Sequence, residues 1–239
     1  MNIGLIPARL NSRRLPKKIL ANLCGKPLIA HTMERALMAE KLDKVILAID
    51  SEETKEALKK FNFDIVMTSD QHHSGTDRIA EVVREIKDAD VIINIQGDEP
   101  LISPQVIDDL VDLFNSDDSV DIATVVSRDL TVADLLNPNV VKTFIDEKKN
   151  AIDFKRCVLD LEIGGAFRHI GMYGYRKEAL LKFTMLEQSK REIEESLEQL
   201  RILDNDIDIK VLIASCNNSS VDTFDDLVEV EKIIREMAE

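Results

Sequence analysis

The first side chains in this sequence that could do chemistry are cations. The chain contains 45 acidic residues, yet none occurs before Glu34. Arginine and lysine side chains bind phosphate oxygens well, the first as a planar fork and the second as a point charge. This segment therefore predicts a polyphosphate-binding loop, although a solvated loop paired with an acidic surface is the alternative. The basic residues before Glu34 are Arg9, Arg13, Arg14, Lys17, Lys18 and Lys26.

Two acidic motifs lie further along the chain and could hold a metal ion. Gln96-Gly-Asp-Glu-Pro100 directly follows an apolar run, and Gly97 would let the backbone approach a ligand closely. Asp98 and Glu99 are hard oxygen ligands suited to Mg²⁺, with Glu99 the weaker candidate. A simple turn is the alternative for this motif, and helix N-capping is the alternative for the second acid, Asp222.

Polar residues at Ser74–Arg78 form a turn that feeds a predicted helix over 77–86. Ser74 and Gly75 could present backbone and hydroxyl donors to a nucleotide, or they could simply cap the helix. His72 and His73 lack a third ligand at metal-binding spacing, so we expect them to be exposed loop residues.

A later motif, Arg168–Tyr175, spaces polar side chains at the period of a β-strand. His169, Gly171 and Tyr173 would share one face, which suits a hydroxyl-rich ligand or a half-buried hairpin equally well. Glu198 and Arg201 fall in a predicted helix over 190–203 at a spacing typical of a surface ion pair.

The elements that must position these residues alternate in the first half of the chain. Apolar strands of about five residues alternate with helical patterns, which indicates a sheet covered by helices on both faces. In such a sheet, loops after the carboxyl ends of strands bind ligands, and both the basic loop and the 96–100 motif occupy that position. Strands are predicted at 3–8, 45–49, 63–67, 91–95 and 121–126, and helices at 27–40, 52–61, 77–86 and 104–114.

The regular alternation of predicted strands and helices ends at about residue 137. Segments 140–145 and 151–156 alternate like paired strands, and a strand at 208–213 and a helix at 224–237 return to the first pattern. We therefore predict an α/β fold with a mixed sheet and a smaller β-rich region. One domain is expected, with a first part over 1–136, a β-rich part over 137–203, and a return to the main sheet over 204–239.

Composition narrows the classes of protein. The formal net charge of −14 argues against a nucleic-acid binder, which needs a basic face. Cys24, Cys157 and Cys216 are odd in number, far apart in the sequence and without a Cys-x-x-Cys pair, which favours reduced thiols over a disulfide framework or a zinc site. No apolar run is long enough to span a bilayer. We therefore expect a cytoplasmic protein without membrane or nucleic-acid partners.

Taken in order, these motifs resemble the 3-deoxy-manno-octulosonate cytidylyltransferases, or CMP-Kdo synthetases. The motif IPARxxSxRLPxK at Ile6–Lys18 is shared with other sugar cytidylyltransferases, whereas SGTDR, QGDEP, RHIGMYGY and LEQLR are more specific to the Kdo branch. The resemblance covers nearly the whole chain, including GKPLI at Gly25–Ile29, NPNVVK at Asn137–Lys142 and VDT at Val221–Thr223.

The resemblance implies a nucleotidyltransferase fold, a homodimer, and transfer of CMP from CTP to a 3-deoxy-2-ulosonic acid with Mg²⁺ as the cofactor. It assigns Asp98 and Asp222 to the metal, and it makes both of them catalytic together with Arg14 and Lys18. It assigns nucleotide binding to Arg9, Arg14, Lys18, Ser74, Gly75 and Arg78. It assigns sugar binding to Gln96, Arg156, His169, Tyr173, Glu198 and Gln199. It also makes 1–136 mainly the nucleotide-binding part and 137–203 the sugar-binding and dimerisation part.

One segment departs from the family pattern. Members read Phe-Ser-Arg, then an Ile-Pro-aromatic segment and a longer loop, where this sequence has Phe154-Lys155-Arg156 and a short passage to Phe167. Because the change falls on the sugar side, a modified acceptor such as 8-amino-Kdo, or another ulosonic acid, is an alternative to Kdo. A nucleotide sensor without turnover is a third class.

Overall fold

Strands and helices alternate along the chain in the computed structural model, which describes residues 1–12, 14–158, 165–215 and 220–237. The strands are β1 Asn2–Ala8, β2 Asn22–Leu23, β3 Lys26–Pro27, β4 Lys44–Ile49, β5 Asp64–Met67, β6 Val91–Asn94, β7 Ile122–Ser127, β8 Lys142–Ile145, β9 Ala151–Lys155, β10 Ala166–Arg176 and β11 Lys210–Ala214. The helices are α1 Leu28–Ala36, α2 Glu52–Ala57, α3 Gly75–Arg84, α4 Pro104–Ser116, α5 Val132–Leu136, α6 Lys177–Phe183, α7 Lys190–Glu195, α8 Leu200–Leu203 and α9 Phe224–Met237. A 3₁₀ turn covers Lys18–Leu20.

The main sheet has the order β11-β7-β10-β6-β1-β4-β5, and β8 and β9 extend it from β10. Strand β1 pairs in parallel with both β4 and β6, whereas β10 is antiparallel to β6 and β7. The predicted mixed α/β sheet is therefore confirmed. Because the chain leaves β1 towards β4 on one side and returns to β6 on the other, the loops after β1 and β6 open a crevice between them.

Both faces of the sheet are buried, which is why its strands read as continuous apolar runs. Leu5 and Ile92 belong to one core and the next residues, Ile6 and Ile93, belong to the other, because side chains alternate across a strand. Helices α1 and α4 cover the second of these cores, and α3 and α6 cover the first. A smaller cluster packs α9 against Leu23 and Leu28.

Strand β10 is longer than predicted and joins the two halves of the sequence. Its residues Tyr173–Arg176 pair with β6, while its beginning pairs with β7 and β8 beyond the carboxyl end of β6. The expected hairpin of β8 and β9 is present. The three predicted regions of the chain therefore contribute to one sheet, and the amino-terminal part of β10 lies over the crevice.

The single helix predicted over 190–203 is wrong. The chain forms two short helices, α7 and α8, separated at Ser196, whose φ of 52° lies in the left-handed region and ends a helix. The predicted ion pair of Glu198 with Arg201 is present, but its arginine is buried and does not lie at the surface. Arg201 is buried and donates to the buried Glu192 carboxylate, and its guanidinium is 4.0 Å from Glu198.

Cys24 is half-buried and Cys157 is exposed, and both are free thiols, whereas Cys216 lies outside the described residues. Across the described ranges, no helix is long and apolar enough to cross a membrane.

The packing of β10 against α4 gives a first testable prediction. A Cβ added at Gly174 would lie 2.4 Å from Cε2 of the buried Phe114 ring. Because overpacking of this kind displaces well-packed neighbours, Gly174→Ala should lower the free energy of unfolding by about 1–3 kcal/mol. Urea denaturation measures this.

The matched control is the same substitution in a Phe114→Leu background. The smaller side chain removes the clashing ring atoms, so Gly174→Ala should cost clearly less there. Strictly additive costs would contradict the steric explanation.

Candidate functional site

The residues that follow β1 and β6 line a cleft of about 520 Å³, called here the basic cleft. It lies at the carboxyl edge of the sheet, as predicted for the basic loop. Helix α3 contributes its amino-terminal turn to the opposite wall. The structure brings together in this cleft Arg9, Arg14, Lys18, Ser74, Gly75, Arg78, Gln96, Asp98 and Asp222.

The basic side chains of the loop divide into two groups. Arg9, Arg14 and Lys18 line the basic cleft, whereas Lys17 turns away and pairs with Glu53 at 2.5 Å. Lys26 pairs with Glu34, and Arg13 lies outside the described residues. Lys17 and Lys26 therefore pair with acidic groups, as expected for a solvated loop on an acidic surface. Arg9, Arg14 and Lys18 instead face the cleft, as expected for a polyphosphate-binding loop.

Two carboxylates converge on one ammonium group at the floor of the cleft. The Nζ atom of Lys18 is 2.5 Å from Oδ2 of Asp98 and 2.9 Å from Oδ1 of Asp222, and Arg14 pairs with the same Asp222 oxygen at 2.8 Å. Although burial alone would lower the pKa of Lys18, the two carboxylates raise it above its usual value. Lys18 is therefore charged at neutral pH and holds Asp98 and Asp222 together.

The backbone fixes Asp222 beside Asp98. The Val221 amide donates to the Asp98 carbonyl at 2.9 Å, which places the next residue at the cleft. Helix α9 is capped by Thr223 and Asp226, since the Asp226 carboxylate accepts from the Thr223 amide and the Thr223 hydroxyl accepts from the Asp226 amide. The N-cap alternative for Asp222 is therefore wrong, and its carboxylate faces Lys18.

The turn before α3 both caps the helix and forms part of the basic cleft. The Ser74 hydroxyl accepts from the Asp77 amide and so caps the helix, while Ser74 and Gly75 also line the cleft. Half-buried His72 pairs with Glu81, and His73 is exposed as expected. The chain packs closely at Gly97, because a Cβ there would lie 3.0 Å from Cδ1 of Ile29 and 3.2 Å from the Pro7 carbonyl oxygen.

Arg78 is buried and lines the basic cleft. Its guanidinium donates to the Asp50 carboxylate at 3.1 Å and to the Thr68 hydroxyl at 2.6 Å. The other oxygen of Asp50 accepts from the Leu10 amide at the start of the basic loop. Asp50 therefore positions the loop, a role that the sequence analysis missed although Asp50 directly follows β4.

A second cleft of about 390 Å³, called here the second cleft, adjoins the basic cleft. The two clefts share Arg14, Gln96, Asp98 and Asp222. Two ligands bound side by side would therefore meet at the carboxylates. The predicted residues Arg156 and His169 also line the second cleft, as do Glu99, Asn139 and Arg168, which were not assigned to a sugar. Arg168 could have been found, because it stands next to His169 in the same motif.

His169 is neutral in this wall. Burial lowers its pKa to about 3, and its Nε2 lies 3.0 Å from the Thr124 hydroxyl. Its ring packs against Phe154 and Tyr173, with centroids 5.2 and 5.5 Å apart. A neutral imidazole fixed between aromatic rings can exchange hydrogen bonds with a hydroxyl but carries no charge.

Three predicted sugar-binding residues do not line the second cleft. Tyr173 is buried behind His169, and burial raises the pKa of its hydroxyl. Glu198 accepts a 2.5 Å hydrogen bond from Thr76 and lines a separate groove of about 800 Å³. Gln199 is buried at the start of α8. A sugar role for these residues stays a prediction.

Arg156 reaches the second cleft but is already engaged. Its three nitrogens donate to the carbonyls of Glu195, Pro138 and Ser196 at 2.7 to 2.9 Å. Arginine has five N–H donors, so two remain for a ligand.

The carboxylate pair fits Mg²⁺. Two carboxylate oxygens that converge on one ammonium nitrogen can equally converge on one small cation, and Mg²⁺ in proteins commonly takes one or two carboxylates and completes its shell with substrate phosphates and water. No group of three or more His, Cys, Asp or Glu with metal-binding geometry occurs in the described part of the chain.

An open mixed sheet, with a cationic cleft and a carboxylate pair at the carboxyl ends of β1 and β6, defines a nucleotidyltransferase. The sequence model of one family, described as cytidylyltransferase, matches residues 3–209. The chain belongs to this cytidylyltransferase family.

Curated relatives match over nearly their whole length. The chain is 41% identical to the 3-deoxy-manno-octulosonate cytidylyltransferase of Geobacter metallireducens, covering 97% of each chain, and 43% identical to that of Chloroherpeton thalassium, covering 96% of each. A solved CMP:2-keto-3-deoxy-manno-octonic acid synthetase in complex with CTP superposes with a TM-score of 0.92 at 33% identity, over 99% of both chains. A 4-diphosphocytidyl-2C-methyl-D-erythritol synthase from Anaerococcus prevotii shares the fold, with a TM-score of 0.64 at 14% identity over 98% of this chain and 96% of that one.

The capping of α9 gives a prediction about the carboxylate pair. Asp226→Ala removes the acceptor for the Asp222 and Thr223 amides, so unfolding should become easier by about 1 kcal/mol and CTP–Mg²⁺ binding should weaken. Chemical denaturation and titration calorimetry measure the two effects.

Asp225→Ala is the control, because exposed Asp225 carries the same charge in the same helical turn without either hydrogen bond. Equal effects of both substitutions would mean that helix electrostatics, and not the placement of Asp222, is responsible.

Proposed function

We propose that this enzyme transfers CMP from CTP to the anomeric 2-hydroxyl of 3-deoxy-manno-octulosonate (Kdo) and releases pyrophosphate, which activates the sugar for lipopolysaccharide synthesis. The observation that carries the proposal is that the two clefts share Arg14, Gln96 and the carboxylate pair. CTP in the basic cleft would then present its α-phosphate to an acid sugar in the second cleft. The names of the relatives support both substrates.

The reaction would be an in-line displacement. The sugar hydroxyl oxygen forms a bond to the α-phosphorus as the bond to the pyrophosphate oxygen breaks, and the hydroxyl proton passes to water. Asp98 and Asp222 would hold Mg²⁺, which supplies charge neutralisation at the phosphate and lowers the pKa of the attacking hydroxyl. Arg9, Arg14 and Lys18 would hold the phosphates and offset the charge on the leaving group.

Lys18 would change partners during this cycle. Its ammonium bridges the two carboxylates in the structure, at the place a cation would take. CTP phosphates offer Lys18 an alternative anionic partner in the same cleft, which would leave both carboxylates open to the metal. Lys18 therefore stabilises the pair before the substrates arrive.

The neighbourhood of His169 and Arg156 would bind the acid sugar. His169 is uncharged and would exchange hydrogen bonds with hydroxyl groups, while Arg156 and Arg168 provide positive charge for a carboxylate. No side chain in the second cleft is assigned as a general base, because burial disfavours the protonated form of His169 and its imidazole would therefore be a weak acceptor for the proton of the attacking hydroxyl.

Kdo is favoured over 8-amino-Kdo as the acceptor. The curated relatives are named for the unmodified sugar. Lys155, which replaces the usual serine, pairs with Asp153 at 3.5 Å and lies over the Phe144 ring, and it does not line the second cleft. Residues 159–164 of the shortened segment lie outside the described residues.

We also propose a cytoplasmic homodimer. The resemblance to the Kdo cytidylyltransferases supports it, and helix α5 supports it further, because none of its residues is buried and Val132 and Leu136 are exposed. Light scattering on the purified protein measures the mass, and a monomer at micromolar concentration would contradict the dimer.

The first experiment measures pyrophosphate release from CTP with Kdo and 8-amino-Kdo offered in parallel. Release with Kdo that stops when EDTA removes Mg²⁺ is expected. Release with the amino sugar alone would move specificity to residues 155–167. Binding of CTP without release with either sugar would favour a nucleotide sensor or another acceptor.

Asp98→Asn and Asp222→Asn test the carboxylate pair. Each removes a charge needed by the metal, so kcat should fall about 100-fold or more while the protein stays folded. Asp88→Asn, at an exposed site away from both clefts, is the control and should keep the wild-type rate. Wild-type kcat in either cleft variant would exclude that carboxylate from metal binding.

A further inference from the structure

A fully buried lysine lies behind the wall of the second cleft. The side chain of Lys142, at the start of β8, has no solvent exposure. Its Nζ donates to the carbonyls of Asn137 at 2.9 Å and Val140 at 2.8 Å, and also to the carbonyl of Arg156. The three donors of one ammonium are thus matched by three main-chain carbonyls.

These carbonyls belong to two segments that face the second cleft. Asn139, Val140 and Val141 form one part of its wall, and Arg156 forms another. Among the residues that the structure describes, none pairs as a strand with the segment 137–140. A turn from the Val140 amide to the Asn137 carbonyl and a bond from the Asn139 amide to the Asn137 side chain are local. Two cationic groups tie this segment to the end of β9: the ammonium of Lys142 and the guanidinium of Arg156, which donates to the Pro138 carbonyl.

Arg156 extends the same arrangement in the other direction. Its guanidinium joins the Pro138 carbonyl to those of Glu195 and Ser196 at the end of α7. Two cations thus hold three segments of chain around one side of the cleft, by hydrogen bonds to carbonyls. Because a charged donor forms stronger hydrogen bonds than a neutral one, each contributes more than an ordinary loop contact.

Burial of the Lys142 ammonium lowers the stability of the fold. Burying an ammonium removes its hydration, and an apolar side chain of similar length would avoid that cost if the carbonyls could be turned to water. The carbonyls are instead directed inward to one point. That arrangement fixes the backbone of the cleft wall and leaves a positive charge behind the place where an acid sugar would bind.

We propose that Lys142 is a positioning residue for the acceptor. It holds Asn139, Val140 and Arg156 in the geometry that binds the sugar acid, and it does not touch either substrate. This inference rests on the proposed function and adds to it a residue that acts on one substrate only, because the wall it supports lines the second cleft and not the basic cleft.

The test uses Lys142→Met and Lys142→Gln in the full-length protein. The methionine keeps the length and removes both charge and donors, so KM for Kdo should rise about tenfold or more. The glutamine retains two N–H donors without the charge, so its KM should lie between those of wild type and Lys142→Met. The dissociation constant for CTP, measured by calorimetry without turnover, should stay within about twofold of wild type in both.

Lys148→Met is the matched control. Lys148 lies in the turn between β8 and β9 and is exposed, so this variant should match wild type in every measurement. If Lys142→Met fails to fold, Lys142→Gln decides the question by the same constants.

The outcomes separate the possible failures. A fall in kcat with both KM values unchanged, or an equal loss of CTP and Kdo affinity, would make Lys142 merely structural and overturn the inference. Wild-type protein that binds CTP but does not turn over Kdo would instead overturn the proposed function, whatever the variants do.

Discussion

The site depends on one ammonium group held between two carboxylates. Lys18 contacts Asp98 and Asp222, which are 80 and 204 residues away in the chain. The two carboxylates carry like charges and repel each other in a partly buried cleft, and the ammonium between them offsets that repulsion. The basic loop after β1, the turn after β6 and the start of α9 are all arranged around this contact.

Cationic side chains also join separate segments of the chain at the second cleft, but there their partners are uncharged carbonyl groups. Lys142 and Arg156 bind carbonyls in the way that Lys18 binds carboxylates, and each gathers segments that no strand ladder connects. The difference has a consequence for function. Lys18 lines the basic cleft and is open to a ligand there, whereas Lys142 is enclosed and lines neither cleft.

The overall architecture could be predicted because it follows from local patterns. The apolar strands alternate with helices, and strand ends followed by basic or acidic residues must meet at one edge of a parallel sheet. For that reason the sequence predicts Arg9, Arg14, Lys18 and Asp98 at one edge of the sheet, and in the structure they line one cleft. The break at Ser196 was missed because the helical spacing of apolar residues continues through it, and only the left-handed backbone of that residue shows where the helix ends.

The sequence by itself therefore determined the class of fold and the placement of the cations of the basic loop and of Asp98 at one edge of the sheet, since residue type and position after a strand are local properties. Tertiary structure decided which cations face the cleft, because Lys17 and Lys18 are neighbours whose side chains diverge to Glu53 and Asp98. It also decided that the Asp222 carboxylate faces Lys18 and does not cap α9, because Thr223 and Asp226 cap that helix. The burial of Arg201 and the carbonyl partners of Lys142 depend on segments distant in sequence, and no local pattern encodes them.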